Sequence, residues 1–164
     1  MDEQVEVSTA EEAANEPLVL AFGRLRGVAH RLEYLLDREL RRECGISHLM
    51  FEVLLALGRA GRPGLSMRTV AQEQVLTTGG ATRLVNRMEE AGLLKRTEDP
   101  GDRRGRLVRL TPKGEQTAVA ACRVHVENVR RHLLEPLPFE NRDSFTEDLR
   151  VLNHATRDAL PRLP

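Results

Sequence analysis

Four arginines, Arg103, Arg104, Arg106 and Arg109, fall within seven residues, with Asp99, Gly101, Asp102 and Gly105 among or beside them. Arginine on a thin, glycine-containing hairpin can enter a DNA minor groove, where narrow A·T tracts focus negative potential. Asp102 can orient a neighbouring guanidinium through paired hydrogen bonds. Just upstream, "TTGGATRLVNRMEEAG" carries a second set of candidates. On helical spacing Ala81, Leu84, Val85 and Met88 take one face. Thr78, Gly79, Gly80, Thr82, Arg83, Asn86 and Arg87 take the other. The second face is small and hydrogen-bonding near its start and cationic further along. That is what a helix in a major groove needs, with base edges reached by the first turn and phosphates held beyond it. Paired glycines cost roughly 1 kcal/mol each against alanine in a helix, but in the first turn they let backbone N–H groups approach a phosphate.

These stretches require elements to hold them. Residues 18–43 read as a long amphipathic helix: Leu18, Leu25 and Leu32 recur every seven residues, and Phe22, Val28, Leu35, Leu36 and Leu40 fill the same side. That stripe exceeds what a short neighbour covers, so it calls for a second chain. Gly45 stops the helix. Ser47 caps a helix over 48–60, with Leu49, Phe51, Val53, Leu54 and Leu57 facing inward. Ser66 caps 67–75, where Leu65 and Val70 form a hydrophobic staple. Thr77 or Thr78 caps 78–91, and Gly92 ends it. Two helices joined by so short a link read as a helix-turn-helix. "LLKRTED" and "RLVRL" then read as two strands around the loop "PGDRRG". Thr111-Pro112 opens a helix running to about 134, and a last one spans about 139–160, with Phe145, Leu149, Leu152 and Leu160 on one side. A helix-turn-helix followed by a two-stranded wing is a winged helix. The fold class is therefore mainly α with a small β-hairpin, the winged core at 46–111 and dimerisation helices at 18–43, 112–134 and 139–160.

Composition agrees. The chain has 164 residues, and apolar side chains make up 40%, but aromatics only 3%, so the core is aliphatic. The net charge of zero hides an asymmetry: residues 1–17 carry six acids and no Lys or Arg, leaving the remainder at +6. The arm at 1–17 reads as disordered and solvated, and 18–164 as one domain. From Arg59 to Lys113 there are 12 basic and 6 acidic residues. A phosphate-binding surface of this kind is salt-sensitive. Cys44 and Cys122 make no disulfide framework and fit a reducing cytosol. No stretch is apolar enough to span a membrane, and the acidic N-terminus does not resemble a signal peptide. Cys122 and His125 share a helix face, but two ligands are too few for a metal centre. No nucleophile triad, phosphate loop or metal-spaced carboxylate set stands out, so no catalysis and no cofactor is expected.

The segment 76–114 resembles the DNA-binding core of the MarR (multiple antibiotic resistance regulator) family. The resemblance rests on the helix end "MEEAGLLKR", the "DRR" at 102–104 and the "LTPKG" that follows. It covers about 18–160. The family departs from this chain at Gln74, where it usually has an apolar residue, and at Val75, where it usually has glycine. The resemblance implies a bacterial, cytoplasmic homodimeric repressor that binds a pseudo-palindromic operator in double-stranded DNA and responds to a small-molecule effector. By motif position, Arg104 is the minor-groove residue, Thr77 to Arg83 form the base-reading turn, and Arg87 flanks it on phosphate. The DNA-contacting set expected is Thr77, Thr78, Gly79, Gly80, Thr82, Arg83, Arg87, Arg103, Arg104 and Arg106, with Asp102 supporting the wing. His30, Tyr34 and His48 are candidates for the effector pocket. The alternative is a winged helix that binds protein rather than DNA. It would place acids or large apolar groups on the exposed face of 78–91, where this chain has Thr, Gly and Arg.

Overall fold

The computed structural model describes residues 6–99 and 102–159, with only the backbone at 102–105. The helices are α1 (Ala10–Asn15), α2 (Pro17–Cys44), α3 (His48–Ala60), α4 (Met67–Glu73), α5 (Thr78–Glu90), α6 (Pro112–Val129) and α7 (Arg142–Ala159). The strands are β1 (Leu65–Ser66), β2 (Leu94–Asp99) and β3 (Asp102–Leu110), in the antiparallel order β1-β3-β2. The hairpin expected from sequence thus gains a third strand. Leu65 pairs with Val108 and Ser66 with Leu107, and Ser66 then caps α4 by accepting from the Thr69 N–H at 3.1 Å.

Helices α1 to α6 each begin where a side chain can accept an orphan N–H. Ser47 accepts from Met50, Thr77 from Gly80 and Thr111 from Gly114. Thr77, not Thr78, is the cap of α5. Within the acidic arm, expected to be disordered, residues 10–15 form a short helix. Its cause is a capping box: Thr9 accepts from the Glu12 N–H, and the Glu12 carboxylate accepts from the Thr9 N–H at 3.1 Å. After Val129 the sixth helix widens into a π-helical turn at Arg130–Leu134.

The core lies between α3, α5, the sheet, the C-terminal third of α2 and the middle of α6. Phe51, Val53, Leu54, Leu57, Val85, Met88, Val108 and Leu40 are fully or almost fully buried there. On α3 the inward stripe runs Met50, Val53, Leu54, Leu57. Leu49 was expected to face inward but is 36% exposed, because Met50 completes the helical spacing in its place. Leu36 and Leu40 of α2 and Ala121 of α6 are buried too, so the winged core is continuous with the flanking helices. The N-terminal half of α2 is different: Leu18, Phe22, Leu25 and Val28 stand 73%, 66%, 50% and 41% exposed. One apolar stripe is split between the chain's own core and open surface.

The turn between α4 and α5 shows how local chemistry sets the helix-turn-helix. The N–H of Leu76 donates to the Ala71 carbonyl at 2.8 Å and that of Val75 to the Gln72 carbonyl at 3.3 Å. This is a Schellman ending, which needs a left-handed residue at its centre. Here that residue is Val75, at φ +51° and 88% exposed. The end of α5 has the same bonding, Leu93 to Met88 and Gly92 to Glu89, with Gly92 at φ +73°. A β-branched side chain pays about 1–2 kcal/mol for that conformation. Glycine loses some of the gain through its freer unfolded chain. Val75→Gly is therefore expected to stabilise the fold by about 1 kcal/mol, since so exposed a side chain surrenders little packing. Urea unfolding at unchanged m-value checks this; a midpoint that stays or falls contradicts it.

Candidate nucleic-acid interface

The site is built from α5 outward. Its inner face, Ala81, Leu84, Val85 and Met88, is buried at 0–3% exposure, which fixes the rotation of the helix about its axis. Thr77, Thr78, Gly79, Thr82, Arg83, Asn86 and Arg87 are consequently exposed together on the opposite face. Gly80 is half-buried and its N–H is taken by the Thr77 hydroxyl at 3.1 Å. Of the two glycines, Gly79 is the one left at the open helix end, with room around its α-carbon. Thr82 donates its hydroxyl to the Thr78 carbonyl at 2.9 Å. Its remaining capacity toward a ligand is as an acceptor.

The hairpin flanks this face. Asp99 lies opposite Asp102 across its tip, with a register shift between Glu98 and Asp99. The segment read as the loop "PGDRRG" is shorter than expected: β3 already begins at Asp102, so Arg103 and Arg104 lie on a strand. The pairing register jumps by three residues on β3 between the pairs Glu98–Arg106 and Asp99–Asp102, and Arg103 and Arg104 fall within that jump. The side chains of Asp102, Arg103 and Arg104 lie outside the described residues. Arg106 is exposed, with its guanidinium 3.7 Å from the Glu98 carboxylate across the hairpin. Such a surface pair contributes little and exchanges readily for a phosphate. Arg109 sits nearer the base, where its Nε donates to the Pro63 carbonyl at 3.2 Å.

Two sets of bonds tie the hairpin to α5. In the "LTPKG" stretch, the Thr111 hydroxyl donates to the Gly92 carbonyl at 2.6 Å and Lys113 donates to the Ala91 carbonyl at 2.8 Å. A cation there also suits the negative end of α5. The second set was not legible from spacing. Arg96 of β2 places its guanidinium on the Glu89 carboxylate and, at 2.6 Å, on the Asn86 side-chain oxygen, while its backbone N–H donates to Glu89 at 3.1 Å. Glu89 and Arg96 belong to different elements, and no periodic rule pairs a helix end with a strand.

The effector candidates part company. His30 and Tyr34 lie exposed on α2. His48, at the start of α3, stacks on His125 with ring centroids 5.5 Å apart, and His125 also meets Phe51 at 5.0 Å. The His48 N–H donates to Asp37 at 2.8 Å. Burial works against charge on Asp37, but the Arg41 guanidinium and this N–H outweigh it and hold the carboxyl below its usual range. Burial, and then the neighbouring His48, push the His125 imidazole down, against an opposing pull from Glu52. Among the described residues no group of three or more His, Cys, Asp or Glu could hold a metal, and no helix is long and apolar enough to cross a membrane.

The comparisons with known proteins join this geometry. The MarR family model matches residues 45–105, from the start of the winged core into the hairpin. The HTH-type transcriptional regulator PecS of Dickeya dadantii is 30% identical over 120 residues, covering 71% of this chain and 72% of PecS. The transcriptional regulator HosA of Escherichia coli O111:H- is 31% identical over 96 residues, 58% of this chain and 70% of HosA. Among solved structures, Sco3205 of Streptomyces coelicolor, a MarR family transcriptional regulator crystallised in complex with DNA, superposes with a TM-score of 0.73. It is 28% identical, covering 94% of this chain and 92% of Sco3205. With a helix-turn-helix packed on the core, an arginine hairpin held against it and relatives matched over most of their length, the chain belongs to the MarR family of transcriptional regulators.

Proposed function

We propose that the protein is a homodimeric repressor that binds a pseudo-palindromic operator in double-stranded DNA and releases it in response to a small effector. The observation that carries the DNA-binding part is the exposed face of α5, where Thr82, Arg83 and Arg87 stand together beside the arginine hairpin. In this reading α5 enters the major groove. Arg83 reads a base from the early part of the helix, and Arg87 holds phosphate. Arg104 enters the adjacent minor groove, with Arg103 and Arg106 on flanking phosphates and Asp102 supporting the turn. Two copies related by a twofold axis then meet half-sites about one helical turn apart. The unpartnered apolar half of α2, with Val151 and Leu152 of α7 at 51% and 53% exposure, supports a second copy as the dimer partner. Repression, effector response and a cytoplasmic location rest on the family resemblance.

Selection of fragments from a random DNA pool tests the reading directly, and a protein that enriches no sequence defeats it. On the selected operator, Arg83→Ala is expected to weaken binding by about 1–3 kcal/mol and to relax preference at one base pair. Arg104→Ala should cost a similar amount, most of all with A·T-rich flanks, and lower the salt slope by about one unit. Arg109→Ala is the internal control, because its guanidinium is bound to Pro63 at the base of the hairpin. Affinity titrations at several salt concentrations read all three. Equal, small effects at Arg104 and Arg109 would make the hairpin merely a solvated charge cluster.

A further inference from the structure

Asn86 lies on the exposed face of α5, one turn beyond Thr82 and Arg83, and its side-chain oxygen accepts from the Arg96 guanidinium at 2.6 Å. Arginine has five donors and no acceptor. Whichever way the amide is first placed, its oxygen must therefore turn to Arg96 and its NH2 must turn away. An unrestrained asparagine flips and offers either a donor or an acceptor edge. This one has its oxygen turned to Arg96 and presents its NH2 donors outward. Arg96 is itself held, by the Glu89 carboxylate on one side and by its own backbone N–H on Glu89 at 3.1 Å. Its side chain is 27% exposed, so the guanidinium is partly shielded from water that would compete for Asn86.

We infer that Arg96 is a positioning residue for DNA recognition: it holds the Asn86 amide with its NH2 facing outward, as a donor to an acceptor group on the DNA. The inference rests on α5 being the DNA-reading helix, as proposed above. The acceptors within its chemistry are the guanine O6 and N7, the adenine N7 and the thymine O4 at base edges, and the phosphate oxygens. The edge it rejects is a donor, such as the amino group of cytosine or adenine, which meets Asn86 as donor against donor. Thr82, with its hydroxyl hydrogen given to Thr78, presents the opposite, accepting chemistry one turn earlier. The same guanidinium ties the hairpin's β2 to α5, so the reader and the wing share one anchor.

The test uses the full-length protein and the operator it selects. Asn86→Ala, Arg96→Met and the double variant are titrated with that operator and reselected from the random pool, with thermal unfolding run alongside. Asn86→Ala and Arg96→Met are each expected to weaken binding about tenfold, the scale of losing one specific contact. Arg96→Met should cost far less in the Asn86→Ala background than it does alone. If the two variants relax preference at the same base pair, the acceptor is a base edge. If they weaken every sequence alike, it is a phosphate oxygen. Arg96→Lys keeps the charge beside Glu89 and so guards the fold, but one ammonium replaces a rigid fork; it should shift in the same direction, less far. Arg96→Met, or Arg96→Lys if the former does not fold, costing as much in the Asn86→Ala background as alone would overturn the inference, because Arg96 would then act without Asn86. Asn86→Ala with undiminished affinity would overturn it as well. A wild-type protein that selects no operator defeats the DNA reading itself, a result distinct from either.

Discussion

Leu25→Glu, on the open half of α2, is expected to dissociate the homodimer proposed above and with it the proposed operator complex. Leu25 is 50% exposed in the single chain, between Phe22 and Val28, so the substitution leaves the chain's own core alone. In a twofold dimer the same patch meets itself, and each substitution is felt twice. Losing a buried leucine costs about 1.5–3 kcal/mol, and an unpaired carboxylate in its place costs more. A total of about 4 kcal/mol or above corresponds to at least a thousandfold in dimer affinity. Operator binding should fall by about a hundredfold or more, since the second half-site is no longer delivered by the first. Analytical ultracentrifugation at micromolar concentration, with helical content unchanged by circular dichroism, checks the first half. A variant that sediments as a dimer, or a wild type that sediments as a monomer, would show the face has another use. Truncation to 46–114 is a poorer test than the linear map suggests. It would remove Leu40 and Ala121, both at 0% exposure, and open the core of the winged helix itself.

Gly114→Ala is expected to destabilise the whole chain by about 3 kcal/mol or more. Gly114 is the last residue of "LTPKG" and lies in the first turn of α6, with its N–H on the Thr111 hydroxyl at 3.0 Å. A methyl group there would run into the Leu93 carbonyl oxygen and against a Leu110 methyl at 3.4 Å. The carbonyl cannot step aside, because it accepts the Thr111 N–H at 3.1 Å and faces the Thr111 hydroxyl at 3.2 Å. Overpacking against a flexible side chain costs about 1–3 kcal/mol; against fixed backbone the upper end or beyond applies. At about 2–4 °C per kcal/mol for a domain of this size, the melting temperature should drop by roughly 6 °C or more. Calorimetry reads this, and a near-neutral Gly114→Ala would mean that α6 shifts freely against the end of α5. Such a shift would also uncouple the exposed face of α5 from α6.

The helices, their caps and the outward face of α5 are legible in the sequence because they are set within a few residues. Ser47, Ser66, Thr77 and Thr111 each reach their N–H within one turn, and the spacing Ala81, Leu84, Val85, Met88 states which side of α5 is inward. The motif 76–114 identifies the family for the same reason: its residues serve one compact unit of neighbouring elements. Left-handed geometry at Val75 was not legible from the residue itself, since a β-branched side chain argues against it, and only the glycine usual there in the family hinted at it; the carbonyls of Ala71 and Gln72 and the packing of Leu76 impose it. The pairing of Leu65 with Val108 joins residues far apart in the chain, and a two-residue strand has no period to detect. The heptad of α2 announced an apolar stripe but not its division, which depends on where α6 and α3 end against it. What the sequence determined alone is the main helices and the hairpin, the family and the chemistry facing outward, because these follow from local spacing and side-chain type. What only the tertiary structure decided is which of those groups are held and by what. Arg96 clasps Glu89 and Asn86 because β2 returns alongside α5, and a contact made by chain reversal is written in the fold, not in the spacing.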